Sequence, residues 1–398
     1  MNRRFSDIFF KYLVSIVALF SVLALGAILL FVFAQGSMPF FTSTFPGIRL
    51  VAQRINEITV NGAVYIDHNT FIDIPKNTEL ISVRFPGTDH DEEILEIKFD
   101  SSEKDPQKAL SFIYNSAIDI SYPESYVYTV SWPQTGSLSA LQKRIHIILP
   151  EPPYNPLEFI GGLKWNPDKD KIFGVFPMIM GTLTASFGAI LLGVPIALLC
   201  ALFMAEFLKP KFAAIARAGI ELLAGIPSVV YGFFGLMVIV PFVRAVFNIP
   251  SGNTLLSAVV VLALMILPTV ITIAETSLRA VPLSVREASL SLGASRMQTA
   301  WNAVLPHANS GVIAGVILGI SRAVGETMAV ILVAGNSPHL TFNPLKSVRT
   351  LTSTIAMEMG YASGRHSEML FSIGVTLFAI ILILNSLMLW YRRRMETE

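Results

Sequence analysis

Long apolar runs alternate with polar segments along this chain and predict six membrane-spanning helices. Residues 13–34 form the first run, which reaches about 33 Å at a helical rise of about 1.5 Å per residue, enough to cross a hydrocarbon core of about 30 Å. By the same test of length, five more spans are predicted at about residues 175–205, 220–247, 255–273, 312–334 and 369–390. Six spans place both termini on the same side of a membrane.

The basic residues predict which side that is. Lys and Arg in short connections are retained in the cytoplasm. In the six-span topology one side collects Arg3, Arg4, Lys11, Lys209, Lys211, Arg217, Arg279, Arg286, Arg296 and the run from Arg392 to Arg394. We therefore expect cytoplasmic termini. The apolar region of a secretory signal is usually only about 7–15 residues, so residues 1–34 are predicted to be an uncleaved anchor.

Residues 35–174 have the character of a soluble domain. Apolar and polar residues alternate in four segments, at 80–85, 94–99, 126–132 and 144–149. Alternation with a period of two is typical of half-buried β-strands. We predict an inserted β-rich domain on the external, periplasmic side. Its histidines, His68, His90 and His146, lack the spacing of metal ligands, so no metal site is expected.

Composition agrees with a membrane protein. Hydrophobic residues make up 53% of the chain and charged residues only 14%, against about a quarter in soluble proteins. The net charge of +1 gives no reason to expect nucleic acid as a partner. The single cysteine, Cys200, lies in an apolar run, where packing is its expected role. The predicted fold is therefore an all-α polytopic membrane protein with a β-rich insertion, divided at 1–34, 35–174, 175–391 and 392–398.

A cytoplasmic connection, residues 276–307, contains a spaced set of residues. Glu287, Ala288 and Ser289 are followed by Gly293 and then by Leu305-Pro306. Apolar residues on either side of the glycine recur at helical spacing, which predicts two short amphipathic helices joined there. A helical hairpin with one exposed apolar face needs either a partner groove or the membrane surface to cover it.

The same connection resembles the EAA signature of ABC importer permeases. The resemblance implies the ABC importer permease fold and a dimer of ATPase subunits as partner, contacted through Glu287, Ala288, Gly293, Leu305 and Pro306. Two positions depart from the signature, Ser289 in place of alanine and Ala303 in place of isoleucine. No phosphate-binding loop of the Gly-x4-Gly-Lys-Ser/Thr type occurs in the chain. ATP and Mg are therefore expected on the partner ATPase, and neither a cofactor nor an enzymatic activity in this chain.

The fifth predicted span contains two charged residues, Arg322 and Glu326. A charge at the centre of a membrane helix costs about 2.5–3.5 kcal/mol on insertion scales, so both should face protein or water. Their spacing of four residues places them on one helix face, where they are expected to pair. A ridge of small residues on the adjoining face, at Gly311, Gly315, Gly319 and Ala323, predicts close packing against another helix. A translocation site and a purely structural ion pair both remain open.

The run from Ser321 to Val330 resembles the Arg-Ala-x-Gly-Glu-Thr-Met-Ala signature of PstC-type permeases of bacterial phosphate importers. Residues 225–232 are similar to the Gly-Ile-Pro-Ser-Val-Val-Tyr-Gly segment of the same family. The resemblance implies a phosphate path lined by Arg322, Glu326, Ser321, Thr327 and Ser228. Gly225 and Pro227 should interrupt or kink the third span.

The resemblance also implies the location of the protein and its partners. We expect a multi-pass protein of the bacterial inner membrane that is embedded in the lipid bilayer and pairs with a PstA-like permease. It would receive phosphate from a periplasmic phosphate-binding protein. Other readings are a permease for another oxyanion such as molybdate or sulfate, a proton-coupled secondary transporter that uses Glu326, and a membrane-anchored sensor that binds a signal through residues 35–174.

Overall fold

The chain forms two compact units in the computed structural model, which describes residues 3–41, ten strands between residues 47 and 148, residues 153–167 and residues 171–397. One unit comprises Met1–Gly36, Leu157–Trp165 and Phe173–Glu398. The other comprises Ser37–Pro156 and Asn166–Ile172. We call them the helical unit and the strand unit.

The strand unit contains two antiparallel sheets. Their strands are β1 (Gly47–Gln53), β2 (Ile58–Val60), β3 (Ala63–Tyr65), β4 (Phe71–Pro75), β5 (Leu80–Pro86), β6 (Glu92–Phe99), β7 (Leu110–Tyr114), β8 (Asp119–Ser121), β9 (Val127–Ser131) and β10 (Arg144–Ile148). One five-stranded sheet has the order β4-β1-β10-β9-β8, and the other has the order β3-β2-β5-β6-β7. Neighbouring strands run antiparallel in both sheets.

Strands β5, β6, β9 and β10 lie where the alternating segments predicted them. In β6 the apolar Leu95 and Ile97 are fully buried, while Lys98 is exposed. In the register of the two strands, Leu95 pairs with Val83 and Ile97 with Ile81 of β5, so that apolar residues are matched with apolar residues. Burial of every second side chain is the structural counterpart of the period-two pattern.

The helical unit is built from long helices and several short ones. Their bounds are α1 (Arg3–Phe41, in this unit as far as Gly36), α2 (Pro156–Gly161), α3 (Phe176–Glu206), α4 (Pro210–Ala224), α5 (Ser228–Phe234), α6 (Val240–Phe247), α7 (Leu255–Arg279), α8 (Leu283–Ser291), α9 (Arg296–Thr299), α10 (Leu305–His307), α11 (Asn309–Gly325), α12 (Met328–Val333), α13 (Leu351–Glu358) and α14 (Arg365–Thr397). Two π-helical turns, Gly235–Ile239 and Ala300–Val304, join α5 to α6 and α9 to α10.

Within the described residues, five helical segments are long and apolar enough to cross a membrane. They are Ala18–Phe41, Phe176–Glu206, Ser228–Phe247, Leu255–Arg279 and Arg365–Trp390. A sixth is counted if Arg296–His307 and Asn309–Gly325, which meet at a bend of 74°, form one span. The chain is therefore a helical membrane protein with about five to six apolar helices.

Two of the predicted spans are interrupted. In the third, α4 ends at Ala224 and α5 begins at Ser228, so the predicted interruption at Gly225 and Pro227 is confirmed. Proline lacks the N–H that a helix needs and disfavours the helical conformation of the residue before it. The prediction of a single helix over 312–334 is wrong, because α11 ends at Gly325 and α12 begins only at Met328.

The core of the helical unit is centred on α7. The predicted ridge on α11 packs against α7, with Gly311 next to Ser277, Gly315 next to Ile273 and Gly319 next to Val270. A methyl group on Gly319 would lie 2.8 Å from Val270 Cγ2. Small residues thus bring the two helices close together, as is common between helices in membranes.

Candidate functional site

Arg322 lies in the last turn of α11, where the helix dipole favours a positive charge. Its side chain is half-buried, and Nη1 donates a hydrogen bond of 3.2 Å to Thr269 Oγ1 of α7. Among the residues that the structure describes, Arg322 forms no ion pair with a carboxylate. The guanidinium is therefore held by a neutral hydroxyl.

Glu326 does not pair with Arg322, so that expectation is wrong. The two residues would share a helix face only if the helix continued, but Glu326 has extended backbone angles (φ −70°, ψ 133°) just beyond the end of α11. Its Oε1 accepts a hydrogen bond of 3.1 Å from the N–H of Ala329 in the first turn of α12. Its carbonyl oxygen accepts another of 2.9 Å from Thr352 Oγ1. Glu326 thus caps a new helix and stabilises the break.

The other two predicted path residues on this segment have different surroundings. Ser321 Oγ lies 3.0 Å from Asn385 Oδ1, so this side chain faces α14 and not α7. Thr327 is in the break itself, with its hydroxyl 3.4 Å from the carbonyl oxygen of Gly325. Of the predicted path residues on this segment, Glu326 and Thr327 therefore form the break, and Arg322 lies in the last turn before it.

Ser228 begins α5, immediately after the interruption of the third span. The hydroxyl of Tyr231 donates a hydrogen bond of 2.8 Å to the carbonyl oxygen of Leu223, which joins the two sides of that interruption. One residue later, a methyl group on Gly232 would lie 2.7 Å from Cα of Ala329 in α12. The helix α5 and the first turn of α12 are thus in close contact, and the two interrupted spans meet at this point.

The connection at residues 276–307 folds as two helices joined at a glycine, as predicted. Gly293 has a φ of +86°, a conformation that L side chains rarely adopt, and separates α8 from α9. A capping box between Ser295 and Gln298 starts α9. Glu287, Ala288 and Pro306 are exposed, and Leu305 is half-buried. Large apolar side chains also face outward, namely Leu283, Leu292, Met297 and Trp301.

One ion-pair group holds this hairpin to α3, and a second joins α7 to α4. Arg286 of α8 pairs with Glu206 at the end of α3, with 2.8 Å between Nη2 and Oε1, and also donates to the carbonyl oxygen of Leu278. Glu275 of α7 is buried and bonded to Arg279 and, at 2.6 Å, to Arg217 of α4. The hydrogen bond to this carboxylate raises the pKa of Arg217 above its ordinary value.

The sequence did not predict which side chains bond to Arg322, Ser321 and Arg217. Thr269, Asn385 and Glu275 each carry one signal, a polar or charged residue inside an otherwise apolar span. The pairing of Glu206 with Arg286, which are 80 residues apart, follows only from the fold. No three His, Cys, Asp or Glu side chains come together as a metal site would require in the part of the chain that the structure describes.

The chain is similar to known transport proteins. Residues 193–397, more than half of the chain, match the family described as "Binding-protein-dependent transport system inner membrane component". A probable ABC transporter permease protein, YqgH of Bacillus subtilis, is 38% identical over 58% of this chain and 78% of its own length. The phosphate transport system permease protein PstC of Xylella fastidiosa is 34% identical over 60% of this chain and 81% of its own. The protein of that name from Pasteurella multocida is 34% identical over 56% and 75%.

These matches have the extent that a shared family requires, and they confirm the resemblance to PstC-type permeases that the motifs predicted. The chain belongs to the family of binding-protein-dependent transport system inner membrane components.

Proposed function

We propose that the chain is the transmembrane permease subunit of an ATP-driven importer that carries inorganic phosphate across the bacterial inner membrane into the cytoplasm. The relatives named as phosphate transport permeases support the substrate. The observation that carries the proposal is Arg322, a cation without a carboxylate partner among the described residues, placed in the last turn before the interruption of the fifth span.

The charge and shape of the Arg322 guanidinium explain why an anion would bind there. An uncompensated positive charge in a membrane helix is unfavourable by several kcal/mol, and a passing anion supplies the missing counter-charge. A guanidinium binds two oxygens of a tetrahedral oxyanion at once. Glu326 uses Oε1 to cap α12 and so leaves the guanidinium free for substrate. Thr327 and Ser228, at the two interruptions, are the further polar groups of the proposed path.

The partners follow from the family and the exposed hairpin. ATPase subunits, which bind ATP and Mg, would dock on the hairpin through Glu287, Ala288, Gly293, Leu305 and Pro306. A PstA-like permease would complete the path, and a periplasmic binding protein would deliver phosphate. Permease subunits of this family are not themselves enzymes. In this topology residues 35–174 lie outside the membrane and both termini lie in the cytoplasm.

Transport by the complete complex tests the proposal. The chain, a PstA-like permease and the ATPase dimer are reconstituted in proteoliposomes, and uptake of labelled phosphate is measured with loaded binding protein. The proposal expects uptake that requires both ATP and this chain, and that excess molybdate or sulfate does not inhibit. ATP-dependent uptake of labelled molybdate or sulfate with no phosphate uptake would favour the other oxyanion. Uptake driven by a pH gradient without ATP would identify a proton-coupled secondary transporter and contradict the proposal.

A further inference from the structure

The hydroxyl of Thr269 differs from the three hydroxyls that follow it on its helix. On α7, Thr272 and Thr276 each donate to a carbonyl oxygen four residues back in their own helix, both at 2.8 Å. Ser277 does the same. This is the usual way for an apolar helix to satisfy a hydroxyl. Thr269 instead accepts a hydrogen bond from Arg322 of the neighbouring helix.

This arrangement leaves donors unused on both residues. A hydroxyl has one proton and two lone pairs, and the bond from Arg322 occupies one lone pair of Thr269. Its proton has no acceptor among the residues that the structure describes. A guanidinium carries five N–H donors, of which Arg322 uses one on Thr269. The pair therefore presents several N–H groups and one O–H group at a single place, with no negative charge bonded to either.

We propose that Thr269 is a second ligand of the transported oxyanion, and that it also holds Arg322 in place. The guanidinium would bind two oxygens of the anion, and the hydroxyl of Thr269 would donate its proton to a third. A tetrahedral anion with several oxygen acceptors satisfies all of these donors at once, whereas a cation or a neutral apolar solute satisfies none of them. The inference rests on the proposed function, since it assigns a further residue to the same site.

Exchange of the hydroxyl for a methyl group tests the inference. Thr269→Val keeps the branched shape of the side chain and removes both the acceptor for Arg322 and the donor for the anion. Thr269→Ser keeps the hydroxyl and removes only the methyl group. Thr272→Val is the matched control, because Thr272 is half-buried on the same helix and its hydroxyl donates only to the carbonyl oxygen of Pro268. Uptake of labelled phosphate is measured at saturating loaded binding protein, with equal amounts of assembled complex.

The inference expects Thr269→Val to lower the uptake rate by about tenfold or more, as loss of a hydrogen bond to a charged group would. It expects the uptake rate of Thr269→Ser to remain within about threefold of the native rate and the uptake rate of Thr272→Val to equal the native rate. Native rates in Thr269→Val would overturn it, and so would equal losses in Thr269→Val and Thr269→Ser. If the native complex takes up no phosphate at all, the proposed function has failed and not this assignment.

Discussion

Glu358, at the end of α13, is the most densely bonded buried carboxylate that the structure describes in the helical unit, and its removal should destabilise the chain strongly. The residue is 5% exposed. Its oxygens accept hydrogen bonds from Trp165 Nε1 at 2.9 Å, Arg349 Nη1 at 2.6 Å and His366 Nε2 at 2.8 Å. Since a carboxylate only accepts, the proton of this contact lies on Nε2 of His366. Glu358 thus joins the segment before α3, the segment before α13 and the start of α14.

The expected loss in the free energy of unfolding follows from these contacts. Glu358→Ala leaves Arg349, whose side chain is 14% exposed, without its carboxylate, and breaking a buried pair in this way costs about 3–5 kcal/mol. Trp165→Phe removes one neutral donor and leaves the ion pair intact, at a cost of about 1 kcal/mol for the hydrogen bond. Glu358→Gln keeps the shape of the side chain but not its charge. Its loss of stability should therefore lie between those of Glu358→Ala and Trp165→Phe.

Thermal denaturation of the purified chain in detergent measures the effect. A loss of 1 kcal/mol lowers the melting temperature by about 2–4 °C in a domain of about 150–250 residues, so Glu358→Ala should melt roughly 6–20 °C below the native chain. Glu158→Ala, at an exposed carboxylate of α2, is the matched control and should have no measurable effect. Equal melting temperatures for Glu358→Ala and Glu158→Ala would refute the reasoning.

Three further predictions concern the two interruptions and the hairpin. Gly293→Pro should uncouple phosphate uptake from ATP hydrolysis without changing membrane insertion, because proline cannot adopt a φ of +86°. A native ratio of uptake to hydrolysis would contradict this. Gly232→Ala should lower the melting temperature, because its methyl group would lie 2.7 Å from Cα of Ala329, whereas Gly219→Ala, which meets nothing within 4 Å, should be neutral or slightly stabilising. Leu292→Asp, at a side chain that is 89% exposed, should leave the melting temperature unchanged and reduce co-purification of the ATPase; undiminished co-purification would count against hairpin docking.

The sequence predicted the features that local chemistry determines. Apolar runs predicted the long helices, Gly225 and Pro227 predicted the interruption of the third span, and Gly311, Gly315 and Gly319 predicted the face of α11 that packs closely against another helix. Alternation located four of the strands. Each of these depends on neighbours in the sequence or on a pattern along one helix face.

The remaining features depend on contacts between distant residues. No proline marks the interruption at Glu326, which is stabilised by the Ala329 N–H and by Thr352, so helical spacing wrongly placed Glu326 beside Arg322. The partner of Arg322 is Thr269, 53 residues earlier. Such pairs form only when α7, α11 and α13 have packed together, and spacing along the chain does not encode them.

The central claim is that Arg322 is a substrate-binding cation on a phosphate path, and one comparison tests it most directly. ATP-dependent uptake of labelled phosphate is measured for the reconstituted complex with the native chain and with Arg322→Gln, after equal assembly of both complexes has been verified. The account predicts that Arg322→Gln assembles normally and loses uptake. Unchanged uptake with normal assembly would contradict it and would leave Arg322 as a residue that only joins α11 to α7.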